Sequence, residues 1–234
     1  MKNKKAICII GGMGPQASVY MYKLLIDLSA RDFNAKNGED YPEIIIYSIP
    51  APDFISDKDK KEVVLDMLKK RVKGINTLSI SHIGIACNTA HLLLKDLQSV
   101  SKAPFVSMID SVVNEIDSGI KKVGLLALPL TIKSSIYEDK LEANGIQTIL
   151  PTNSQLKILD KIIRNVTEGK ITKKDQGTLL LIANSLKKKG AQGIILGCTE
   201  LPLVFPQKYP FLPVYNPVGI LAMVLLRKYY AQTE

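Results

Sequence analysis

Two strand-like runs in this chain carry the same ending. Ile80 to Ala86 is apolar and β-branched and meets Cys87, while Gly193-Ile194-Ile195-Leu196 passes through Gly197 into Cys198. Each is the later half of a longer pattern that also occurs twice. Ala6-Ile7-Cys8-Ile9-Ile10 opens the first copy and Lys122-Val123-Gly124-Leu125-Leu126-Ala127 the second. The interval from Ile10 to Leu126 nearly equals that from Cys87 to Cys198. Self-similarity at a fixed interval is the mark of duplicated structural units, and short apolar runs alternating with helical stretches indicate parallel sheets.

The first copy then reads as a helix over Ser18 to Ala30, a strand over Glu43 to Ile49, a helix near Asp59 to Lys73, the strand ending at Cys87, and a helix after Thr89. The second reads as a helix over Ser134 to Asn144, a strand over Gln147 to Leu150, helices over Leu156 to Val166 and Lys174 to Lys189, and the strand ending before Cys198. A last helix, about Gly219 to Tyr230, is expected to pack back on the first copy. The expected architecture is α/β: two pseudo-symmetric Rossmann-like domains, each a mainly parallel sheet flanked by helices, with Cys87 and Cys198 lining one interdomain cleft if the two halves face each other. Residues 1–116 with 212–234 make the expected first domain, and 117–211 the second.

Composition narrows the function class. An apolar share of 46% and a charged share of 23% suit a globular chain with a sizeable core. The longest apolar runs, such as Ile44 to Tyr47, fall far short of a bilayer span. No signal-peptide pattern follows the basic start, so a cytoplasmic protein without membrane attachment is expected. The net charge of +9 would suit nucleic acid, but the lysines are scattered. Lys69-Lys70-Arg71 and Lys187-Lys188-Lys189 precede Gly74 and Gly190, as basic residues at helix C-termini do. Without tryptophan or aromatic–basic interleaving, no nucleic-acid partner is expected. Three cysteines without CxxC, and two histidines without metal-ligand spacing, predict neither disulfides nor metal.

Ligands of parallel sheets sit beyond the strands' carboxyl ends. Three loops meet that condition: Gly11-Gly12-Met13-Gly14-Pro15-Gln16, Ala86-Cys87-Asn88-Thr89 and Gly197-Cys198-Thr199-Glu200. Inverting an sp³ carbon with an acidic hydrogen needs a base on one face and an acid on the other. A pair of thiols can supply both, since a free thiol starts near 8.5 and a helix N-terminus lowers it. Neighbouring amides, with Asn88, Thr89 and Thr199, would hold a substrate carboxylate and stabilise the carbanion. Cys8, between two isoleucines, reads instead as a core residue. His91 and Glu200 are possible auxiliaries to the thiols. Their structural alternatives are a helix contact for His91 and a helix cap for Glu200.

Gly-Gly-Met-Gly-Pro at 11–15, Ala-Cys-Asn-Thr-Ala-His at 86–91 and Gly-Cys-Thr-Glu-Leu at 197–201 resemble the signatures of the aspartate/glutamate racemase superfamily, in its aspartate racemase branch. Leu125-Leu126-Ala127 with Thr131, Ser134 and Tyr137 is similar to the opening of that branch's second domain. The resemblance implies racemisation of an amino acid, aspartate or glutamate, without pyridoxal phosphate or other cofactor, in a homodimer. It implies Cys87 and Cys198 as catalytic thiols, Cys87 serving the D form and Cys198 the L form. Asn88, Thr89, Thr131 and Thr199 become substrate contacts, with Met13 and Gln16 lining the cleft.

The chain departs from that branch where a side-chain carboxylate would be held. Phe54 stands roughly where an arginine is expected, and Asn165-Val166-Thr167-Glu168-Gly169 lacks the expected lysine. Lys133, Arg164 and Lys170 are the nearby substitutes. Other substrates of the superfamily, a non-acidic amino acid, a hydantoin or maleate, remain open. Gly12-Met13-Gly14-Pro15-Gln16-Ala17 also fits a dinucleotide fingerprint, but the acidic residue that fingerprint wants after the second strand is missing. An NAD-binding oxidoreductase or a non-catalytic binding protein are the more distant readings.

Overall fold

The computed structural model describes residues 4–52, 60–206 and 208–232. The chain forms two compact units, Met1–Met108 with Leu221–Glu234, and Ile109–Ile220.

In the first unit β1 (Ala6–Gly11) lies between β2 (Ile44–Ser48) and β3 (Ile80–Ile85), and β4 (Phe105–Val106) pairs outside β3. All pairings are parallel. Every residue of β1 is buried, which is why the run is apolar throughout rather than alternating. The helices are α1 (Pro15–Asp32), α2 (Lys60–Ile75) and α3 (Leu94–Gln98), with the first residue of α4 (Met108–Glu115). Val64, Leu68 and Val72 of α2 join Ile83, Ile85 and Leu93 in one core.

The second unit repeats the order. β5 (Lys122–Leu126) lies between β6 (Gln147–Ile149) and β7 (Gly193–Leu196), with β8 (Val214–Tyr215) outside β7, again all parallel. Its helices are α5 (Pro129–Lys133), α6 (Glu138–Ala143), α7 (Asn153–Thr167), α8 (Lys173–Lys188) and α9 (Leu201–Val204), with the start of α10 (Pro217–Tyr230). Val123, Leu125, Tyr137, Leu141 and Ile195 lie at its centre. Two parallel four-stranded sheets with the same strand order, flanked by helices, are the α/β architecture that the doubled sequence pattern predicts.

Helix boundaries follow local chemistry. α7 begins three residues before the expected Leu156 because Thr152 and Gln155 form a reciprocal capping box. Thr172 and Asp175 do the same for α8. The helix expected over Ser134 to Asn144 is shorter, confined to α6, and α5 before it was not expected. The Ser134 hydroxyl donates to the Thr131 carbonyl at 2.7 Å, and Ser135 adopts φ 53°, so the backbone turns left-handed between α5 and α6. The two-residue strands β4 and β8 were not expected, and neither were α4 and α9.

From Leu221 onward α10 belongs to the first unit. A Cβ on Gly84 of β3 would stand 2.8 Å from Leu225 Cδ1 and 3.4 Å from Leu221 Cδ2, so the helix lies directly on the strand. The Tyr230 ring stacks on Phe33 at 4.5 Å and its hydroxyl donates to the Asp40 carbonyl at 2.9 Å. Among the described residues no helix is long and apolar enough to cross a membrane.

Candidate active site

In each unit the chain leaves the first strand, adds the second on one side, and returns to add the third on the other. Loops diverge at such a point and open a crevice at the carboxyl ends of the two central strands. In the first unit this brings the loops after β1 and β3 together, the Ala86 amide donating to the Ile10 carbonyl at 2.8 Å. In the second it brings together the loops after β5 and β7, through the pairing of Leu126 with Leu196.

The loop after β1 is shaped by Gly12 at φ 89°, a region that favours glycine. A Cβ there would lie 2.3 Å from the Ile49 nitrogen, so only glycine lets the turn cross the end of β2. Its amide donates to the Ser18 hydroxyl at 2.9 Å. Ser18 occupies the space a Gly11 side chain would need. The sequence reading missed this residue, although a serine in the first turn after Gly-Pro was the available signal. Met13 packs partly buried against the first core, and Gln16 is half-buried near the start of α1.

Beyond β3, Cys87, Asn88 and Thr89 are all buried, Cys87 with 5% of its surface exposed. The chain continues as a 3-10 turn over Thr89–Leu93 and then the five-residue α3. His91 is also buried. Its Nδ1 lies 2.8 Å from the Cys87 carbonyl, and its Nε2 accepts the Met108 amide at 3.0 Å. A ring nitrogen that accepts an N–H carries no proton, so the proton is on Nδ1 and is donated to Cys87.

In the second unit Thr131 of α5 is buried. Gly197 permits the turn after β7, where a Cβ would press on Leu125 Cδ1 at 2.7 Å and Ala127 Cβ at 3.0 Å. Cys198, Thr199 and Glu200 follow, exposed by 6%, 2% and 5%. Glu200 stands at the N-cap position of α9 but makes no capping hydrogen bond. Its Oε2 accepts instead from Cys198 Sγ and from Thr199 Oγ1, each at 3.0 Å. Tyr137, fully buried, has its phenol pushed well up by burial, with the charge of Cys198 adding to the effect. That nearness to Cys198 was not read from the sequence.

The helix dipoles invoked for the thiols are weaker than expected. Cys198 precedes a four-residue helix and Cys87 a five-residue 3-10 turn, and a macrodipole accumulates only over aligned turns. Cys8 is fully buried, and desolvation pushes its thiol up to about 12, in keeping with a core role.

The candidate cations for a side-chain carboxylate separate cleanly. Lys170 Nζ pairs with Glu168 at 2.7 Å and Arg164 Nε with Asp160 at 3.0 Å, both on exposed surface, and Lys133 is exposed on α5. Asp53 and Phe54 lie outside the described residues. Among those described, no cluster of His, Cys, Asp and Glu is arranged to hold a metal ion.

A model of the Asp/Glu/hydantoin racemase family matches residues 10–225, nearly the whole chain. The chain belongs to this family. A broad-specificity amino-acid racemase of Bacillus subtilis (strain 168) is 26% identical over 230 residues, which is 96% of this chain and 98% of that protein. Among solved structures, the aspartate racemase of Picrophilus torridus superposes with a TM-score of 0.84 at 30% identity, covering 98% of this chain and 96% of that one. An aspartate racemase homologue from Pyrococcus horikoshii OT3 superposes with 0.81 at 32% identity, covering 97% and 99%. Membership in the racemase family makes the protein an isomerase, and both units carry the fold of aspartate racemases.

Proposed function

We propose that this racemase interconverts the enantiomers of a free amino acid by a two-base mechanism, with Cys87 and Cys198 as the acid/base thiols and without a cofactor. One observation carries the reading: each unit buries a cysteine immediately beyond its third strand, at the same point of the same topology. Proton removal from one face of Cα and delivery to the other requires one group for each, and each unit supplies one.

A thiolate takes the Cα proton, leaving negative charge that delocalises into the substrate carboxylate. Donors aimed at that carboxylate lower the barrier. Thr89 and Asn88 in the first unit, and Thr131 and Thr199 in the second, are the buried polar groups beside the cysteines in sequence or topology, and we assign them to the substrate's carboxylate and ammonium. We assign Met13 and Gln16, which follow β1 in the chain, to the lining of the same site. The other thiol then donates its proton to Cα. The similarity to aspartate racemases puts aspartate and glutamate first among substrates, and that to a broad-specificity amino-acid racemase widens the panel beyond those two. We further infer a homodimer acting in the cytoplasm.

The test is Cα–H exchange in D₂O, followed by NMR on the reduced protein with a panel of L-amino acids. Deuterium is expected in at least one, with loss of about 10²-fold or more in Cys87→Ala and Cys198→Ala, the usual scale of general acid–base catalysis. Parent-like racemisation in both variants would end the two-thiol reading. Exchange in no amino acid would redirect the search to a hydantoin or maleate.

A further inference from the structure

The two thiols are served by different chemistry. The Cys198 S–H donates to a glutamate carboxylate at 3.0 Å, and the same oxygen takes the Thr199 hydroxyl. At Cys87 the neighbouring imidazole donates to the backbone carbonyl instead. A carboxylate that accepts an S–H favours the neutral thiol and repels the thiolate. Burial of the group limits the screening of that repulsion. Another titratable group near Cys198, the phenol of Tyr137, is held protonated by burial and contributes no positive charge there.

We propose that Glu200 is a positioning residue that keeps the proton of the resting enzyme on Cys198, so that turnover opens with Cys87 as base and Cys198 as acid. The proposal rests on the two-thiol racemisation above. In the first step the Cα–H bond breaks, its electron pair stays on the substrate, and the proton forms an S–H bond on Cys87. The Cys198 S–H bond then breaks and its proton joins Cα on the other face. The enzyme is left with a Cys198 thiolate beside the Glu200 carboxylate, its less favourable form. A proton released from Cys87 to solvent and another taken up at Cys198 restore the start. The opposite enantiomer must begin from that less populated form.

Mirror-image substrates have equal free energies, so kcat/KM is the same for both and the bias cannot appear there. It appears in kcat and KM separately. The enantiomer that gives its proton to Cys87 meets a competent enzyme and has the lower KM, with a correspondingly lower kcat. The other meets a small competent fraction and has a raised KM. Glu200→Gln removes the negative charge and offers an amide donor to the thiolate. It should move the ratio of the two KM values toward or past one by about tenfold, the effect of one unit of thiol acidity. A merely structural loosening would lower kcat/KM for both enantiomers without moving that ratio.

Site-resolved alkylation tests the pairing without turnover. Iodoacetamide on the reduced protein, followed by mass spectrometry, should label Cys87 before Cys198 in the parent. In Glu200→Gln the Cys198 rate should rise about tenfold with Cys87 unchanged, and Glu200→Asp, which keeps the charge, should stay near the parent. If Cys198 labelling and the KM ratio are both unmoved in folded Glu200→Gln, the proposal is overturned while two-thiol racemisation can still stand. If no amino acid exchanges its Cα–H, the amino-acid reading fails, and an unmoved Cys198 labelling rate would then overturn the Glu200 pairing separately.

Discussion

The Met108 amide donates to His91 Nε2 at 3.0 Å, and the opposite nitrogen of the same ring meets the Cys87 carbonyl at 2.8 Å. The imidazole is thus a brace between the Cys87 loop and the start of α4, with one tautomer selected by the amide. His91→Ala would leave a buried carbonyl and a buried amide without this partner, at a cost of about 2–4 kcal/mol. Thermal unfolding should show that loss together with a fall in kcat, and ¹⁵N NMR of the parent should show the Nδ1–H tautomer. The opposite tautomer in the spectrum would refute the brace.

Cys8 should behave as hydrocarbon until high pH. Its thiol is pushed up to about 12 in the folded protein against a reference of 9.0, through burial. The unfolded chain therefore releases this proton first. The stabilisation from keeping the thiol neutral is complete below about 9 and is lost as pH rises towards about 12. Cys8→Ala should flatten that part of the stability curve while leaving racemisation intact, measured by denaturant titration from pH 8 to 11.

Glycine substitutions should act in opposite directions at two sites. Gly12→Ala places a Cβ 2.3 Å from the Ile49 nitrogen at φ 89°, which the β1 turn can relieve only by moving backbone. We expect a loss of at least about 3 kcal/mol, with activity falling alongside. Gly177 lies on the exposed side of α8 with nothing near its Cβ position. Gly177→Ala should stabilise by about 0.5–1 kcal/mol at unchanged kcat. Calorimetry on both variants decides the pair, and a neutral Gly12→Ala would sink the close-approach argument.

Lys170 and Arg164 already hold Glu168 and Asp160 on open surface. Alanine at either should leave KM for aspartate and glutamate within about twofold, because exposed ion pairs contribute little. A selective rise in KM for acidic substrates would instead put that cation at the side-chain carboxylate.

The strands were legible because parallel sheets bury both faces, and β-branched runs such as Ile7 to Ile10 and Gly193 to Leu196 have no other stable use. The cysteine loops were legible as the places where those runs stop. Helix boundaries near Asn153 and Lys173 were blurred by capping boxes that act before the apolar periodicity begins. The late start of α6 at Glu138 had no advance signal, since serine does not ordinarily mark a left-handed turn such as that at Ser135. The two-residue strands β4 and β8 are too short for any periodicity. Glu200 was legible as a neighbour of Cys198, but its choice of thiol over helix cap depends on the turn after Gly197, which a linear pattern does not encode.

The placement of α10 against Gly84 sets an order of events during synthesis. The strand that ends at Cys87 leaves the ribosome early, yet the Leu221 and Leu225 side chains that cover it emerge only after every strand of the second unit. Domains tend to fold as they are completed. The nascent first sheet therefore keeps the Gly84 face of β3 uncovered until the last helix arrives. A chain that stops short of Leu221 should therefore expose apolar surface on β3 that the finished fold hides.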